Sequence, residues 1–514
     1  MDAETYRRRW WTLGVMALSL MVIGLDNTIL NVALPTLFRE LGASASELQW
    51  IVDSYILVFA GLLLTMGALG DRYGRKRALN VGLLLFGLSS VGAAFATSAE
   101  TLIATRALMG IGGALIMPST LSIITNVFTG KERGRAIAAW AAVSGLGIIG
   151  GPVLGGWLLE RYWWGSVFLV NVPIVLIAIA AGYVLVPESK DPQATPLDPV
   201  GAGLSIAGLG ALVYGIIEAP GLGWTDPLII SSFAVAAVLL GAMIWWELRT
   251  PHPMLRMSFF RDPRFSAASA SITLVFFALF GTVFIITQYL QFVLGYSPLQ
   301  AGVRVMPVAT LIIAAPLAAR LNEKLGTKVV VTAGLVIVAT GLAILSTVEA
   351  SSSYGLVALV LSVMGLGMGT TMAPATDSIM GSLPLAKAGV GSAMNDTTRQ
   401  VGGALGVAVL GSVLASTYSS AMAAVVAGLP PHAAEVVADS VGGAVQVAAQ
   451  LGVGGVELLD AAGAAFVDGM GNAALVASLV ALTGAVISAL FLPSREKSVA
   501  APLVAEGGVS LETR

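Results

Sequence analysis

Along the whole chain, apolar stretches of about 18 to 30 residues alternate with short polar connections marked by glycine, proline and charge. At 1.5 Å per residue, a helix of such length crosses about 30 Å of hydrocarbon, so the pattern predicts transmembrane helices. The runs fall at about 11–34, 48–70, 79–97, 101–125, 134–159 and 165–187, then 198–217 and 227–247, then 265–293, 298–320, 328–347, 355–380, 388–416 and 468–492. The predicted fold class is an all-α polytopic membrane protein of 14 spans. Residues 1–190 and 261–492 each read as a six-helix bundle, 191–260 as two inserted transmembrane helices with their linkers, and 493–514 as a tail.

The halves echo each other. Glu323-Lys324-Leu-Gly326-Thr-Lys328 repeats Asp71-Arg72-Tyr-Gly74-Arg75-Lys76, acid on acid and base on base, and Leu294-Gly295-Tyr296-Ser297 repeats Leu41-Gly42-Ala43-Ser44. Weak internal symmetry between membrane halves is a transporter signature, with the substrate site expected between them.

Composition narrows the chemistry. With 56% hydrophobic and 11% charged residues, the chain lies far from the roughly 25% charged average of soluble domains. There is no cysteine, and the two histidines, His252 and His432, fall in connections. Disulfides, thiolate metal sites and nucleophilic thiols are thereby excluded, and no metal is expected. Nothing resembles a nucleophile–base pair, so an enzyme is not expected, nor is a cofactor or a nucleic-acid partner.

Net charge is only −2, so the distribution of charge carries the information. If the amino terminus is cytoplasmic, 22 of the 27 Lys and Arg residues fall on the cytoplasmic side, including Arg7 to Arg9, Arg72 to Arg77, Lys131 to Arg135, Lys387 and Arg495. The stretch 417–468 has no Lys or Arg and reads as a long external loop whose Ala/Val/Gly-rich segments suit short surface helices. Both termini are expected in the cytoplasm. The run after Arg9 continues through Asp26 to Pro35 without a small-residue cleavage pattern, so a mature first helix is expected rather than a signal peptide.

Several charged or glycine-rich positions carry candidate chemistry. Gly67-Ala-Leu-Gly70-Asp71-Arg72-Tyr-Gly74-Arg75-Lys76-Arg77 is a tight loop at a membrane face, read as a conformational gate. Asp26 lies within the first run, about eight residues or roughly 12 Å from its outer end, and an intramembrane acid is a functional-site hypothesis by default. Arg106 enters the fourth run at similar depth, so movement of one relative to the other would switch the site between binding and releasing a proton. Asp53 and Tyr55 occupy the outer part of the second run. Asp377 and Asp396 are acids of the second half, with Asp396 about one helical turn from Arg399. Phe276, Phe280 and Phe284 form a stripe that suits either a cavity wall or plain packing. The formal GxGxxG within Ser144 to Gly156 is not a dinucleotide fingerprint, because it lies inside an apolar helical run. Small residues four apart permit close helix packing, and Pro152 supplies a bend.

These stretches together resemble the major facilitator superfamily, and in particular its fourteen-helix drug:proton antiporters. The loop around Asp71 is similar to the signature between helices 2 and 3, and the Asp26 stretch, Leu25 to Pro35, to the first-helix signature. The Arg106 stretch resembles the fourth-helix signature, whose arginine is implicated in proton coupling. Gly147, Gly151, Pro152 and Gly155 match the fifth-helix signature found in antiporters and largely missing from symporters. Trp163 to Pro173, Gln288 to Gly302 and Gly391 to Gly403 extend the likeness, with the acidic Asp396 as a departure where an amide is expected.

The resemblance implies two six-helix bundles, no cofactor, and a functional monomer in the cytoplasmic membrane driven by a proton gradient. It implies proton coupling at Asp26 and Arg106. Substrate-binding candidates are Asp53, where exporters of quaternary ammonium and dicationic compounds carry an acid, with Asp377, Tyr55, Gln288, Gln291 and Phe284. A lipophilic cation needs a counter-charge and aromatic walls, since ring faces attract cations by roughly 0.5–2 kcal/mol. The expected function is export of hydrophobic cationic drugs or dyes, with protons and membrane lipids as further partners. The alternatives are export of a lipid or endogenous natural product, and proton-coupled uptake.

Overall fold

A computed structural model describes residues 3–128, 130–190, 196–382, 388–451 and 455–494. The expected tail beyond Ser494, Lys387 and part of the linker after Lys190 lie outside the described residues. The first half comprises α1 (Ala3–Leu41), α2 (Ala45–Tyr73), α3 (Arg75–Ala94), α4 (Ala99–Val127), α5 (Gly130–Arg161) and a sixth span broken into α6 (Ser166–Leu169) and α7 (Asn171–Leu185). The inserted pair is α8 (Pro199–Leu222) and α9 (Pro227–Arg249). The second half begins with α10 (Pro263–Gln288), which ends in a wide turn over Tyr289–Val293. There follow α11 (Pro298–Val305) and α12 (Thr310–Leu325), split at Pro307, then α13 (Thr327–Leu345), α14 (Tyr354–Gly381) and α15 (Ala388–Val426). Two short helices, α16 (Pro431–Asp439) and α17 (Val441–Leu451), precede α18 (Gly455–Phe491). Among the described residues, 13 helical segments are long and apolar enough to cross a membrane, and α5, with 32 residues, supplies the fourteenth expected span.

The duplication read from the sequence reappears in the backbone. Gly42 and Gly295 adopt φ of 65° and 67°, and Gly74 and Gly326 φ of 125° and 82°, conformations that only glycine takes at little cost. Ser44 and Ser297 each cap the next helix in a reciprocal box, with Glu47 and Gln300 reaching back to the cap N–H. Packing repeats as well. In the first half α1 lies on α5 and α7, α2 on α4, and α3 on α4 and α7. In the second, α10 lies on α15 and α18, α12 on α14, and α13 on α14 and α18.

The expected loop over 417–468 is corrected at both ends: α15 runs on to Val426 and α18 begins at Gly455, so only residues 427–454 connect them, carrying α16 and α17. Their apolar runs continue past the hydrocarbon length because polar substitutions there are too few to end a helix, a boundary that hydropathy alone draws too early. The inserted helix α8 packs against both α2 and α15, bridging the two halves, while α9 packs chiefly on α8.

Candidate functional site

Within the first half a polar cluster forms where α1, α4 and α7 meet α2. Arg106 of α4 donates to Asp26 of α1 in an ion pair with side chains 1% and 0% exposed. The same guanidinium donates to the Ile51 carbonyl (3.1 Å) and lies 4.4 Å from the Tyr55 ring centroid. Asn171 donates to the other Asp26 oxygen (3.2 Å) and approaches Ser90 (3.4 Å). The break at Val170, just before Pro173, starts α7 at Asn171 and brings its amide to the carboxylate. Burying a charge is tolerated only with such pairing, so the cluster holds a complete ion pair in an apolar bundle.

The fifth-helix glycines seat α5 on α1. A methyl group on Gly155 would lie 2.5 Å from Ile29 Cγ1, one on Gly147 3.1 Å from the Met21 carbonyl, and one on Gly151 3.1 Å from the Leu25 carbonyl. The neighbouring Gly156 faces the second half, where a methyl group would meet Leu299 Cα at 2.5 Å, and Gly302 of α11 abuts the Pro152 carbonyl. Glycines thus let α5 touch α1 and α11 at backbone distance.

Gly156 and Gly302 belong to a seam between the halves at the end opposite the Asp71 loop. There Gln291 donates to the Val32 carbonyl (2.9 Å), and Leu299 N–H and the Ser297 hydroxyl donate to Glu160. The Phe38 and Phe292 rings meet edge-to-face at 6.0 Å, and Gln49 of α2 fills the space beside Gly411 of α15. Asp439 of α16 accepts from Ala45 N–H at the start of α2 (3.0 Å). At the end carrying the Asp71 loop, α4 and α5 share no substantial packing with α12 or α14 among the described residues. The halves therefore close at one end and part at the other.

Of the substrate candidates, Phe284, Gln288 and Gln291 are buried at the closed end, with the Gln288 amide turned back to the Phe284 carbonyl (3.2 Å). Tyr55 is buried beneath Arg106. Asp53 is 0% exposed, and neither carboxylate oxygen has a hydrogen-bond partner. Asp377, by contrast, is exposed towards the parted end of α14. Asp396 lies 3.5 Å from Arg399, whose guanidinium sits 5.5 Å from the Phe276 ring. Phe276 and Phe280 pack edge-to-face at 5.7 Å, and Phe280 lies against Gly403 of α15, so that part of the stripe is packing.

In the basic loop Gly74 joins α2 to α3, and Asp71 at the end of α2 pairs across it with Arg75 at the start of α3 (2.7 Å). Gly67 and Gly70 abut α4, where methyl groups would come within 3.2 Å of Pro118 and 3.3 Å of Ser119 Oγ. Arg72 is exposed and lies over Tyr73. Glu188, beyond α7, accepts from Lys76 N–H (3.2 Å), lies 3.7 Å from Arg77 and would meet a methyl group on Gly74 at 2.8 Å.

Glu188, the bond from Asn171 to Asp26 and that from Asn171 to Ser90 escaped sequence reasoning. The available signals were an amide inside an apolar span just before a proline, and a lone acid closing the sixth span beside Lys190. Among the described residues no cluster of His, Cys, Asp and Glu is arranged to hold a metal ion.

Two packing-equivalent halves of six spans, bridged by an inserted pair, closed against each other at one end and with a buried ion pair inside the first, define a helical membrane transporter. A sequence profile of the Major Facilitator Superfamily matches residues 16–407, and the chain belongs to that family. It is 39% identical over 487 residues to the multidrug efflux pump LfrA of Mycolicibacterium smegmatis, covering 94% of this chain and 96% of that protein. It is also 39% identical to the methyl viologen resistance protein SmvA of Salmonella typhimurium (90% and 93% covered). Identity to the tetracenomycin C resistance and export protein of Streptomyces glaucescens is 34% (96% and 94% covered). Among solved structures, a bacterial homolog of the human lysosomal transporter Spinster, inward-facing and unoccupied, aligns with a TM-score of 0.69 at 18% identity, over 97% of this chain and 100% of that one.

Proposed function

We propose that this protein is a proton-driven exporter of hydrophobic, chiefly cationic compounds across the cytoplasmic membrane, acting as a monomer by rocking its two halves about a central cavity. The observation that carries the reading is the buried Asp26–Arg106 pair inside the first half: an intramembrane acid bonded to a cation on another helix is suited to exchanging protons. The names of the relatives, multidrug efflux and methyl viologen resistance among them, support drugs and dications as substrates. The fifth-helix glycines, seated on α1 and α11, support antiport over uptake.

With both termini and the basic loops in the cytoplasm, the parted end opens inwards and the closed seam faces outwards. Asp377, exposed towards the parted end, is then a first counter-charge for an arriving cation. Asp53, Tyr55, Phe284, Gln288 and Gln291 become reachable only as the seam opens and belong to the release path. The loop residues Gly67, Gly70, Asp71, Arg72, Gly74 and Arg75 form the inner gate. No cofactor is required.

Efflux of a panel of monocations, dications, neutral drugs and lipids, measured in everted vesicles with and without a proton gradient, tests the reading. Gradient-dependent movement of the cations supports it. Movement of lipids alone would replace it with lipid export, and gradient-independent movement would remove the proton coupling.

A further inference from the structure

The foot of the inserted pair holds two acids that the ion-pair cluster does not use. Asp198, just before α8, and Glu247, near the end of α9, are 6% and 3% exposed. Asp198 Oδ1 accepts from Gly201 N–H (2.8 Å) and from Trp246 Nε1 of α9 (2.9 Å), and Oδ2 accepts more loosely from Met254 N–H (3.4 Å). Glu247 Oε2 accepts from Leu255 N–H (3.0 Å), but its Oε1 is buried without a partner. A methyl group on Gly201 would lie 2.6 Å from that oxygen and 2.7 Å from Asp198 Oδ2, so the two least satisfied oxygens crowd one glycine. The acids thus tie both feet of the hairpin to the start of the linker that leads to the second half. Met254 extends the tie to the first half, its Sδ accepting from Thr65 of α2 (3.2 Å).

Among the described residues no Lys, Arg or His is paired with either acid. On α9, Arg249 lies over the Trp245 ring (4.7 Å). In the linker His252, Arg256 and Arg261 are exposed, and Asp262 accepts from Arg264 N–H at the start of α10. On α2, Asp71 pairs with Arg75 and Arg72 lies over Tyr73, while Glu47 and Asp53 belong to the outer half. Glu218 of α8 accepts from Trp50 Nε1 near the outer end (2.9 Å), and Asp396 and Arg399 of α15 lie together (3.5 Å).

We infer that Glu247 is a proton-dependent clamp at the inner foot of the inserted pair: it carries a proton beside the Asp198 carboxylate, and its ionisation frees the linker at Met254 and Leu255. The inference rests on the orientation proposed above and not on what is transported. Two carboxylates buried at one site with no cation cannot both ionise cheaply. Asp198 has three donors to hold its charge and Glu247 one, so the proton belongs to Glu247, whose Oε1 becomes a hydroxyl flanking the glycine that Asp198 Oδ2 also flanks. Protonation therefore favours the clamped form, which is present below the pH at which Glu247 ionises and lost above it. An alkaline cytoplasm loosens the link between the halves. Neither acid lies on α1 or α4, so the clamp answers to cytoplasmic pH separately from the Asp26–Arg106 pair.

The absence of cysteine makes a direct test available. Leu255→Cys puts a reporter thiol in the clamped linker, and its labelling by a membrane-impermeant maleimide is followed in everted vesicles as the bath pH is varied. Each rate is divided by that of the detergent-unfolded protein at the same pH, which removes the titration of the thiol itself. With Glu247 intact the normalised rate is expected to rise with pH, by up to about tenfold per unit, the slope of a one-proton equilibrium. Glu247→Gln, which puts an amide donor where the acid carries its proton, is expected to label slowly at every pH, and Glu247→Ala fast at every pH. A flat rate with Glu247 intact, a Glu247→Gln protein that keeps the rise, or a rate that follows sodium or magnesium concentration at fixed pH would overturn the clamp. His252→Cys, exposed in the same linker, checks the orientation by itself: labelling in everted vesicles and not in intact cells supports it, and the reverse overturns the orientation whatever Glu247 does.

Discussion

Asp26 and Arg106, from helices α1 and α4, form an ion pair sealed from solvent, with Asn171 occupying the carboxylate oxygen that Arg106 leaves free. Asp26→Asn should abolish uphill, proton-driven efflux while leaving substrate binding and downhill exchange, because the amide still accepts a hydrogen bond but carries no titratable proton. Arg106→Ala should alter the pH dependence of transport as well as its rate. It should also destabilise the fold by about 3–5 kcal/mol, the cost of leaving a buried charge unpaired. Efflux in everted vesicles and thermal unfolding in detergent check these outcomes, and an Asp26→Asn protein that still builds a proton-driven gradient would pass the coupling role to Asp396 or Asp377.

Gly74 adopts φ of 125° with Glu188 pressed against it. Gly74→Leu and Asp71→Asn should reduce turnover more than substrate affinity, since the first strains the loop and the second removes its Arg75 pair. Glu188→Gln should act in the same direction, more weakly, because its contact to Arg77 is exposed. Binding titrations beside efflux rates separate the two, and lost affinity with normal exchange would refute the gating role.

The glycines of α5 divide sharply by environment. Gly155→Leu, against Ile29, should cost about 1–3 kcal/mol through overpacking and lower the unfolding midpoint. Gly150→Ala, with open space where its methyl group would go, should be neutral or slightly stabilising. Equal midpoints for the two variants would show that α5 does not depend on its close approach to α1.

Asp53→Asn removes one counter-charge from the proposed release path, so efflux of dications should fall more than efflux of monocations, and that of neutral compounds least. Transport assays with matched substrates of each charge decide this. Equal loss across the three classes would leave Asp53 a purely conformational role.

Hydropathy alone was enough to call for fourteen spans, because a chain in hydrocarbon must satisfy its backbone polar groups internally and helices of fixed length do so. The duplication was legible too, since glycine at positive φ and a serine capping box are local devices written in neighbouring residues; Gly42 with Ser44 and Gly295 with Ser297 show it. The chemistry of Asp26 and Arg106 could be suspected from depth, but their contact could not be read, nor could Asn171 on the same carboxylate: these residues are distant in sequence and meet only when α1, α4 and α7 pack. Tertiary structure likewise decided that Asp53 is sealed rather than solvated, because its burial comes from neighbouring helices and not from its own. A helix carries its length, caps and breaks in its own residues, but which of its faces meets another helix, and at which end the halves close, depends on residues hundreds of positions away.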